Sequence, residues 1–157
     1  MTGVSHREPG AATAILMSKS ISAEIIADGI HVDPAVIRLT LQVKGADRII
    51  LITDSMRAQG CGDGEFKIGG QIAYVQGQEA RLVNGTLAGS VLTMNRALGN
   101  MIKFTGCSIV DAAKMAATNP AKQLGLTEIT GSIEVGKQAN LTVLDEQYQV
   151  VNTYMFH

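Results

Sequence analysis

Aromatic residues are scarce in this chain: they make up 4% of its 157 residues, and tryptophan is absent. Aromatic rings are the platforms on which proteins stack bases, so few such platforms are available. Charged residues make up 17%, and the formal net charge is -1. A chain this close to neutrality gives no electrostatic reason to expect a nucleic acid or an anionic membrane as partner.

Cysteines and long apolar runs are also few. Cys61 and Cys107 have no metal-like spacing, and this sparse use of cysteine favours a reducing cytoplasm. No apolar stretch reaches the roughly 18 residues that a membrane helix needs, and the N-terminus carries no apolar signal core. The length leaves room for one domain or parts of two. We therefore expect a soluble, cytoplasmic α/β protein.

Two short apolar runs each end in an ionisable residue. Residues 25–31 read IIADGIH, and residues 49–54 read IILITD. Short runs of Ile, Leu and Val bounded by turn residues are typical of fully buried strands. A helix is predicted between them over Pro34–Lys44, with Asp33 at its start and Gly45 at its end. The unit is therefore strand, helix, strand, with parallel strands.

The carboxyl ends of parallel strands are where such folds place their chemistry, so His31 and Asp54 are the most informative ionisable pair. For Asp54, the residues allow a catalytic carboxylate or the N-cap of a following helix, because aspartate commonly caps helices. For His31, the alternative is an ordinary turn position. Asp28 could serve only to hold the tight turn at Gly29.

The rest of the chain is predicted to alternate between short strands and helices. Gly69-Gly70 separates two alternating apolar runs, which predicts a β-hairpin insertion at about residues 65–84. Asn119-Pro120 is predicted to stop a helix that begins at Ser108. The other predicted elements are, in chain order, helices over about 11–19 and 90–104 and strands at 132–135, 140–144 and 150–154.

Several segments together resemble the N-acetylglucosamine-6-phosphate deacetylases of the amidohydrolase superfamily. In chain order they read MTGVSHREPG, EIIADGIHV, LITDSM, NGTLAGS, NPAKQLGL and GSIEVGKQANLTVLD. The last segment resembles one found in many amidohydrolases. HREPG, ADGIH and TLAGS in this order are much more specific to the deacetylases.

The resemblance implies an α/β fold, namely the carboxyl-terminal portion of a (β/α)8 TIM-like barrel plus part of a small β-sandwich domain. Residues 1–126 would belong to the barrel, with 25–31 as strand seven and 48–54 as strand eight. Residues 127–157 would supply strands of the small domain. Met1 would match the methionine of an HLxNAMTG-like segment, so we expect the chain to be incomplete. Two strands cannot close a barrel, so we also expect exposed apolar surface.

The resemblance implies a metal-dependent hydrolase that removes acetate from N-acetylglucosamine 6-phosphate and leaves glucosamine 6-phosphate. Asp54 would take a proton from a metal-bound water and return it to the departing amine. The divalent metal, expected to be zinc, would be bound by a glutamate and two histidines that lie upstream in the family. No metal ligand is therefore expected in this chain, and the chain alone is expected to be inactive.

The resemblance also implies a substrate site and a partner. Arg7 would bind the sugar phosphate of a neighbouring subunit with its planar guanidinium, which implies a homodimer. The other implied substrate residues are Asp28, Gly29, Ile30 and His31 near the phosphate and Leu87, Ala88 and Gly89 near the acetyl end. The residues alone also allow a solvated Arg7 and, at 87–89, a connecting turn plus the first turn of a helix. A non-catalytic sugar-phosphate-binding or interaction fragment is the alternative function.

Overall fold

The computed structural model of the protein describes residues 4–155. Residues 1–3, with Met1 and the start of the MTGVSHREPG motif, and residues 156–157, with the end of the predicted small domain, lie outside the described residues. The described chain is a mixed α/β structure with three sheets. Its elements are α1 (Gly10–Met17), β1 (Ala23–Ile26), α2 (Pro34–Lys44), β2 (Ile49–Ile52), β3 (Gly64–Ile68), β4 (Gln71–Gln76), β5 (Glu79–Leu82), β6 (Leu87–Ser90), α3 (Met94–Thr105), α4 (Ile109–Ala113), α5 (Asn119–Gln123), β7 (Leu141–Leu144) and β8 (Val150–Tyr154).

β1 and β2 form the first sheet and run in parallel, with Ile26 opposite Ile52 at its carboxyl end. The helix between them, α2, has the predicted bounds. Its N-cap is Asp33, whose carboxylate accepts a hydrogen bond from the backbone N–H of Ala35 at 2.7 Å. It ends at Gly45, where φ is +70°. The strand–helix–strand prediction is confirmed, because it rested on local capping chemistry that the tertiary structure leaves in place.

β1 is shorter than the sequence predicts, since it ends at Ile26 and not at His31. The Asp28 carboxylate accepts hydrogen bonds from the backbone N–H groups of Ile30 and His31, both at 2.9 Å. These bonds close a turn that takes the chain out of the sheet. Burial extends one residue beyond the strand, since Ala27 is also fully buried.

β3 to β6 form an antiparallel sheet in sequential order. The hairpin turn lies at Gly69-Gly70, as predicted, and both glycines have positive φ. Residues 87–89 do not form the connecting turn that the sequence also allowed. They belong to β6, where Leu87 lies opposite Arg81 of β5. The predicted insertion at about 65–84 therefore covers three strands of a four-stranded sheet, and β6 extends that sheet to Ser90.

α4 and α5 are joined by a π-helical turn, Lys114–Thr118, so one helical stretch covers residues 109–123. The prediction that Asn119-Pro120 stops the helix is wrong. Pro120 follows the π-helical turn directly, and Thr118 and Asn119 before it keep helical backbone angles, so the chain stays helical through the proline. The Asn119 amide donates hydrogen bonds to the carbonyl oxygens of Ala46 and Ile49, both at 2.7 Å, and holds this turn against the first sheet.

β7 and β8 form the third sheet, an antiparallel pair with Leu141 opposite Tyr154. The predicted strand at 132–135 is absent, and that segment is irregular. It lies between Gly131 and Gly136, whose φ angles of +95° and +94° turn the chain at both ends. Apolar alternation predicted a strand there, but no neighbouring strand of the described chain pairs with it.

The first sheet packs against α2, α3 and the π-helical turn around one apolar core. Its buried members are Ile25, Ala27, Ile37, Ile49, Leu51, Met101 and Met115. Apolar surface is also exposed, as expected: Val36, Leu39 and Val43 are each 45–48% exposed at a spacing that makes one stripe along α2. Within residues 4–155, no helix has the length and apolarity required to cross a bilayer.

Candidate active site

The parallel pairing of β1 with β2 brings two predicted site segments to one edge of the first sheet. Ile26 and Ile52 are paired at the ends of the two strands. Residues 27–31 and 53–56 therefore leave the sheet at the same edge, which is where α/β folds place their ligands. The sequence predicted this convergence, and the register confirms it.

Asp54 is an exposed residue with φ of +49°, in the left-handed region. Glycine occupies this region readily and aspartate more readily than most residues, and non-glycine residues held there cluster at functional sites. No helix begins within residues 55–63. The helix N-cap alternative for Asp54 is therefore wrong, and its carboxylate is left without that structural role.

Ser90, at the end of β6, holds the chain on both sides of Asp54. The Ser90 N–H donates to the Asp54 carbonyl oxygen at 2.8 Å, and the Met56 N–H donates to the Ser90 carbonyl oxygen at 2.9 Å. The Ser90 hydroxyl donates to the carbonyl oxygen of Thr53. Three neighbouring peptide units are thus bonded to one residue, so the conformation of Asp54 is set by β6.

The Leu87–Gly89 segment lies directly before Ser90 and is brought against Asp54 by these bonds. Ala88 is 8% exposed, whereas Leu87 and Gly89 are half-buried. Gly89 has φ of +67°, which a glycine adopts without steric cost. The structure therefore joins two segments that are more than 30 residues apart in sequence, the predicted catalytic carboxylate and the predicted acetyl-side wall.

Ser90 is the residue that sequence reasoning missed. Its side chain is 1% exposed, and its oxygen also accepts a hydrogen bond from the Leu92 N–H at 3.0 Å. The Ser55 hydroxyl donates to the Leu92 carbonyl oxygen and adds a further link between the segments. The only signal in the sequence is that Ser90 completes the NGTLAGS motif, since a single serine shows no periodicity.

Asp28 and His31 form a close pair at the end of β1. The Nδ1 atom of His31 lies 2.6 Å from Oδ2 of Asp28, and the two side chains are 17% and 5% exposed. Gly29 between them has φ of +78°. A Cβ atom at Gly29 would lie 3.2 Å from Cζ of Phe104, so the turn packs tightly on α3. Both readings of Asp28 are therefore compatible with the structure, as a turn residue and as a partner of the histidine.

Arg7 is exposed in the irregular segment before α1. The hydrogen bonds and ion pairs of the described residues do not link it to Asp54 or to His31. The structure thus brings together the predicted residues that follow β1 and β2 and those of β6. Arg7 has no hydrogen bond or ion pair with them among the described residues.

A cavity of about 640 Å³ lies between the turn after β1 and the antiparallel sheet. Ile30 contributes to one wall, and Glu79 and Arg81 of β5 contribute to another. Nε of Arg81 lies 2.6 Å from a carboxylate oxygen of Glu79. Neither His31, nor Asp54, nor the Leu87–Gly89 segment lines this cavity, so apart from the Ile30 contact it is separate from the predicted site residues that the structure describes.

Metal-binding side chains are not grouped in the described part of the chain. Within residues 4–155, no three of the His, Cys, Asp and Glu side chains lie close enough together to hold a metal ion. Both Cys61 and Cys107 are free thiols. The donor set that the structure describes therefore does not fit a resident divalent metal by itself.

Known proteins resemble this chain over nearly its full length. It is 44% identical to the N-acetylglucosamine-6-phosphate deacetylase of Bacillus subtilis over 98% of this chain and 39% of that protein. A crystal structure of N-acetylglucosamine-6-phosphate deacetylase from Thermotoga maritima matches 98% of this chain and 42% of its own, with 40% identity and a TM-score of 0.91. A mutant of the Mycobacterium smegmatis enzyme, solved in complex with N-acetyl-D-glucosamine-6-phosphate, matches 99% of this chain and 42% of its own, with 34% identity and a TM-score of 0.90.

The chain thus spans about two fifths of the length of these relatives. The sequence profile of the amidohydrolase family matches residues 8–156. That range includes the turn after β1, the Asp54 segment, all of β6 and the last sheet. By this match, the chain belongs to the amidohydrolase family.

Proposed function

We propose that this chain carries the acid–base carboxylate and part of the substrate site of a metal-dependent deacetylase that converts N-acetylglucosamine 6-phosphate to glucosamine 6-phosphate and acetate. One observation carries the proposal: Asp54 lies at the end of a parallel strand, and Ser90 holds it against Leu87–Gly89. The names of the relatives supply the substrate class.

Asp54 would act as the acid and base of the reaction. Its carboxylate takes a proton from the attacking water and later returns that proton to the departing amine. The left-handed backbone at Asp54 and the bonds from Ser90 fix the backbone position from which the Asp54 side chain extends. Gly89 lets the backbone of β6 approach closely, so the segment Leu87, Ala88 and Gly89 would form the wall beside the acetyl group.

The sugar phosphate would be held at the other strand end and from a second subunit. His31 would face the phosphate, with Asp28, Gly29 and Ile30 forming the turn that carries it. Arg7 would reach the substrate of a neighbouring subunit in a homodimer, and its exposure in this chain supports that assignment. Bidentate hydrogen bonding makes arginine well suited to a phosphate.

The fold assignments that go with this function are also proposals. Residues 1–126 would be the carboxyl-terminal part of a (β/α)8 barrel, with the sheet insertion at about 65–84, and residues 127–157 would belong to a small β-sandwich domain. The parallel pairing of β1 with β2 supports the first assignment, and the antiparallel pair β7–β8 supports the second. The divalent metal, proposed to be zinc, would be bound by residues outside the described chain. Two free thiols support a cytoplasmic location.

A segment exchange tests the catalytic assignment. The region of the Bacillus subtilis relative that matches this chain is replaced by this chain, and acetate release from N-acetylglucosamine 6-phosphate is measured. We expect the chimera to release acetate, and the change Asp54→Asn to lower its rate by at least about 10²-fold, the usual contribution of a positioned acid–base group. The epimer N-acetylgalactosamine 6-phosphate, tested alongside, shows whether the exchanged segment also sets the sugar preference.

Asp63→Asn is the matched control for that experiment. Asp63 lies in the same loop, and its carboxylate accepts a hydrogen bond from the Gly77 N–H at 2.8 Å, which an amide oxygen can also accept. We expect this variant to retain the rate of the chimera. A chimera that shows a cooperative unfolding transition but releases no acetate contradicts the proposal, as does an Asp54 variant with an unchanged rate.

A second candidate function is binding without catalysis. It is favoured because, within residues 4–155, no three metal-binding side chains lie close enough together to hold an ion. In that case the chain itself binds the sugar phosphate through His31 but performs no hydrolysis. An NMR titration of the isolated chain with N-acetylglucosamine 6-phosphate distinguishes the two. Saturable shifts near His31 together with an inactive chimera support the binding fragment, whereas an active chimera supports the enzyme.

A further inference from the structure

The Asp28 carboxylate is fully engaged inside the protein. Its Oδ1 accepts hydrogen bonds from two backbone N–H groups, those of Ile30 and His31, at 2.9 Å each. Its Oδ2 contacts Nδ1 of the His31 ring at 2.6 Å, and the side chain is 5% exposed. Both oxygens thus have partners within the turn, and little of the group is accessible to a ligand.

The pairing determines which ring atom of His31 donates to the carboxylate. An ionised carboxylate accepts hydrogen bonds and donates none, so the short contact requires the proton on Nδ1. The other nitrogen, Nε2, is then the atom available to a ligand. In the neutral ring Nε2 accepts a hydrogen bond, and in the protonated ring it donates one.

Residues of α3 hold the turn that carries Asp28 and His31. The Asn100 amide of α3 donates to the Ala27 carbonyl oxygen at 2.9 Å, immediately before Asp28. Gly29 lies so close to Phe104 that a Cβ atom there would be 3.2 Å from its ring. The backbone from Ala27 to His31 is therefore fixed from α3, and the orientation of the ring within it depends on Asp28.

We propose that Asp28 is a positioning residue that fixes the His31 ring with Nδ1 turned inward, so that Nε2, which donates a hydrogen bond once the ring is protonated, is the atom offered to the sugar phosphate. The identity of the ligand rests on the proposed function; the orientation of the ring does not. Asp28 then acts through His31 and has no direct contact with the substrate. Catalytic and metal-binding histidines are commonly oriented by a carboxylate in the same way.

The change Asp28→Asn gives a sharp test because it preserves the turn and should move the ring proton of His31 from Nδ1 to Nε2. Two backbone N–H groups require an oxygen at the Oδ1 position, so the amide NH₂ of asparagine must face Nδ1 of His31. Nδ1 then has to accept, and the proton moves to Nε2. A residue with a purely structural role in the turn would produce no such change in the ring.

The measurement is the ¹⁵N NMR spectrum of the His31 ring in the full chain, recorded above about pH 8, where an ordinary imidazole is neutral. We expect the wild-type ring to carry its proton on Nδ1 and the Asp28→Asn ring to carry it on Nε2. The control is Asp33→Asn, which changes the carboxylate that caps α2 by accepting from the Ala35 N–H, whereas the His31 ring pairs with Asp28. That variant should keep the wild-type tautomer.

Two results would overturn the proposal: a wild-type ring protonated on Nε2, or an Asp28→Asn variant that is folded and keeps the proton on Nδ1. The first needs no variant, so a failure of Asp28→Asn to fold does not remove the test. Titration of the wild-type chain with N-acetylglucosamine 6-phosphate at about pH 6, where an ordinary imidazole is largely protonated and Nε2 can donate to a phosphate oxygen, reports separately on the proposed function. A chain with the Nδ1–H tautomer that shows no shifts on titration retains the role of Asp28 and counts against the ligand.

Discussion

A Cβ atom at Gly89 would lie 3.2 Å from the carbonyl oxygen of Asp54 and 3.4 Å from Cβ of Met56. This spacing is tighter than side chains ordinarily adopt, and it places the backbone of β6 against the proposed catalytic residue. The contact exists because Ser90, the next residue, is hydrogen-bonded to the peptide units on both sides of Asp54. Glycine at position 89 is thus required by two independent conditions, the close approach and a φ of +67°.

Gly89→Ala should destabilise the fold by more than the cost of placing an alanine in the left-handed region. A left-handed residue with a Cβ costs about 1–2 kcal/mol, and the contact with Asp54 adds to that cost. Gly85→Ala is the matched control, because Gly85 has φ of +83° but no atom within 4 Å of the added Cβ. Urea unfolding of both variants measures the difference, and equal losses would show that the contact carries no energy.

Ser90→Ala should lower the free energy of unfolding by about 1–3 kcal/mol, because it leaves the part-buried Thr53 carbonyl and the buried Leu92 N–H without their side-chain partner. Ser20→Ala removes an exposed hydroxyl and should change stability by less than about 0.5 kcal/mol. Chemical denaturation provides both values. A loss at Ser90 no larger than that at Ser20 would contradict the link that holds Asp54.

The ion pair between Asp47 and Lys114 should make stability depend on pH at both ends of the range. The Lys114 ammonium, through a hydrogen bond and its charge, holds the pKa of Asp47 below its ordinary 3.8, and Asp47 raises the pKa of Lys114 above 10.5. A lowered carboxyl pKa stabilises the fold above pH 3.8, and that stability is lost as the pH falls through the folded value. A raised amine pKa stabilises it below pH 10.5, and that stability is lost as the pH rises through the folded value.

Asp47→Asn should therefore lower the urea midpoint near neutral pH by a small amount, and the difference from wild type should shrink at both extremes. Both groups are exposed, so the effect is modest and about 1 M salt should reduce it further. Urea midpoints measured across the pH range test this. A difference that stays constant from about pH 2.5 to neutrality would rule out the Asp47 carboxylate as its source.

The purified chain should release no acetate from N-acetylglucosamine 6-phosphate, even with zinc added. Within residues 4–155 no group of side chains is arranged to hold the ion, and a carboxylate alone is too weak a base to activate water efficiently. A coupled acetate assay with and without zinc, with the Bacillus subtilis relative as the positive control, gives the answer. Turnover that rises with metal and is removed by a chelator would contradict this expectation.

Helix ends and turns could be predicted wherever residues close together in the sequence determine them. α2 has the predicted bounds because Asp33 caps it and Gly45 ends it, and the hairpin turn lies at Gly69-Gly70 because two glycines accept positive φ. A helix also begins at Ser108 as predicted, because the Ser108 side chain caps α4 by accepting from the Asp111 N–H at 3.1 Å. These interactions close within a few residues, so no other part of the chain is needed to specify them.

Predictions failed where a distant partner outweighed the local signal. Pro120 does not end its helix: it follows a π-helical turn, and the adjacent Asn119 donates hydrogen bonds to carbonyls about 70 residues away. Residues 132–135 alternate like a strand, yet they find no partner strand in the described chain. Residues 87–89 resemble a turn in isolation and become a strand because β5 pairs with them.

The sequence by itself determined the α/β class, the parallel unit of β1 and β2, and the candidate residues His31 and Asp54, because apolar runs and the polar residues that end them are properties of short segments. Only the tertiary structure decided how those residues are held. The bonds from Ser90 to the chain around Asp54 span 37 residues at the Thr53 contact, and the turn that carries His31 is fixed from α3. Hydrogen bonds between distant segments leave no periodic trace in a sequence, so the geometry of the site depends on how the sheets and helices pack.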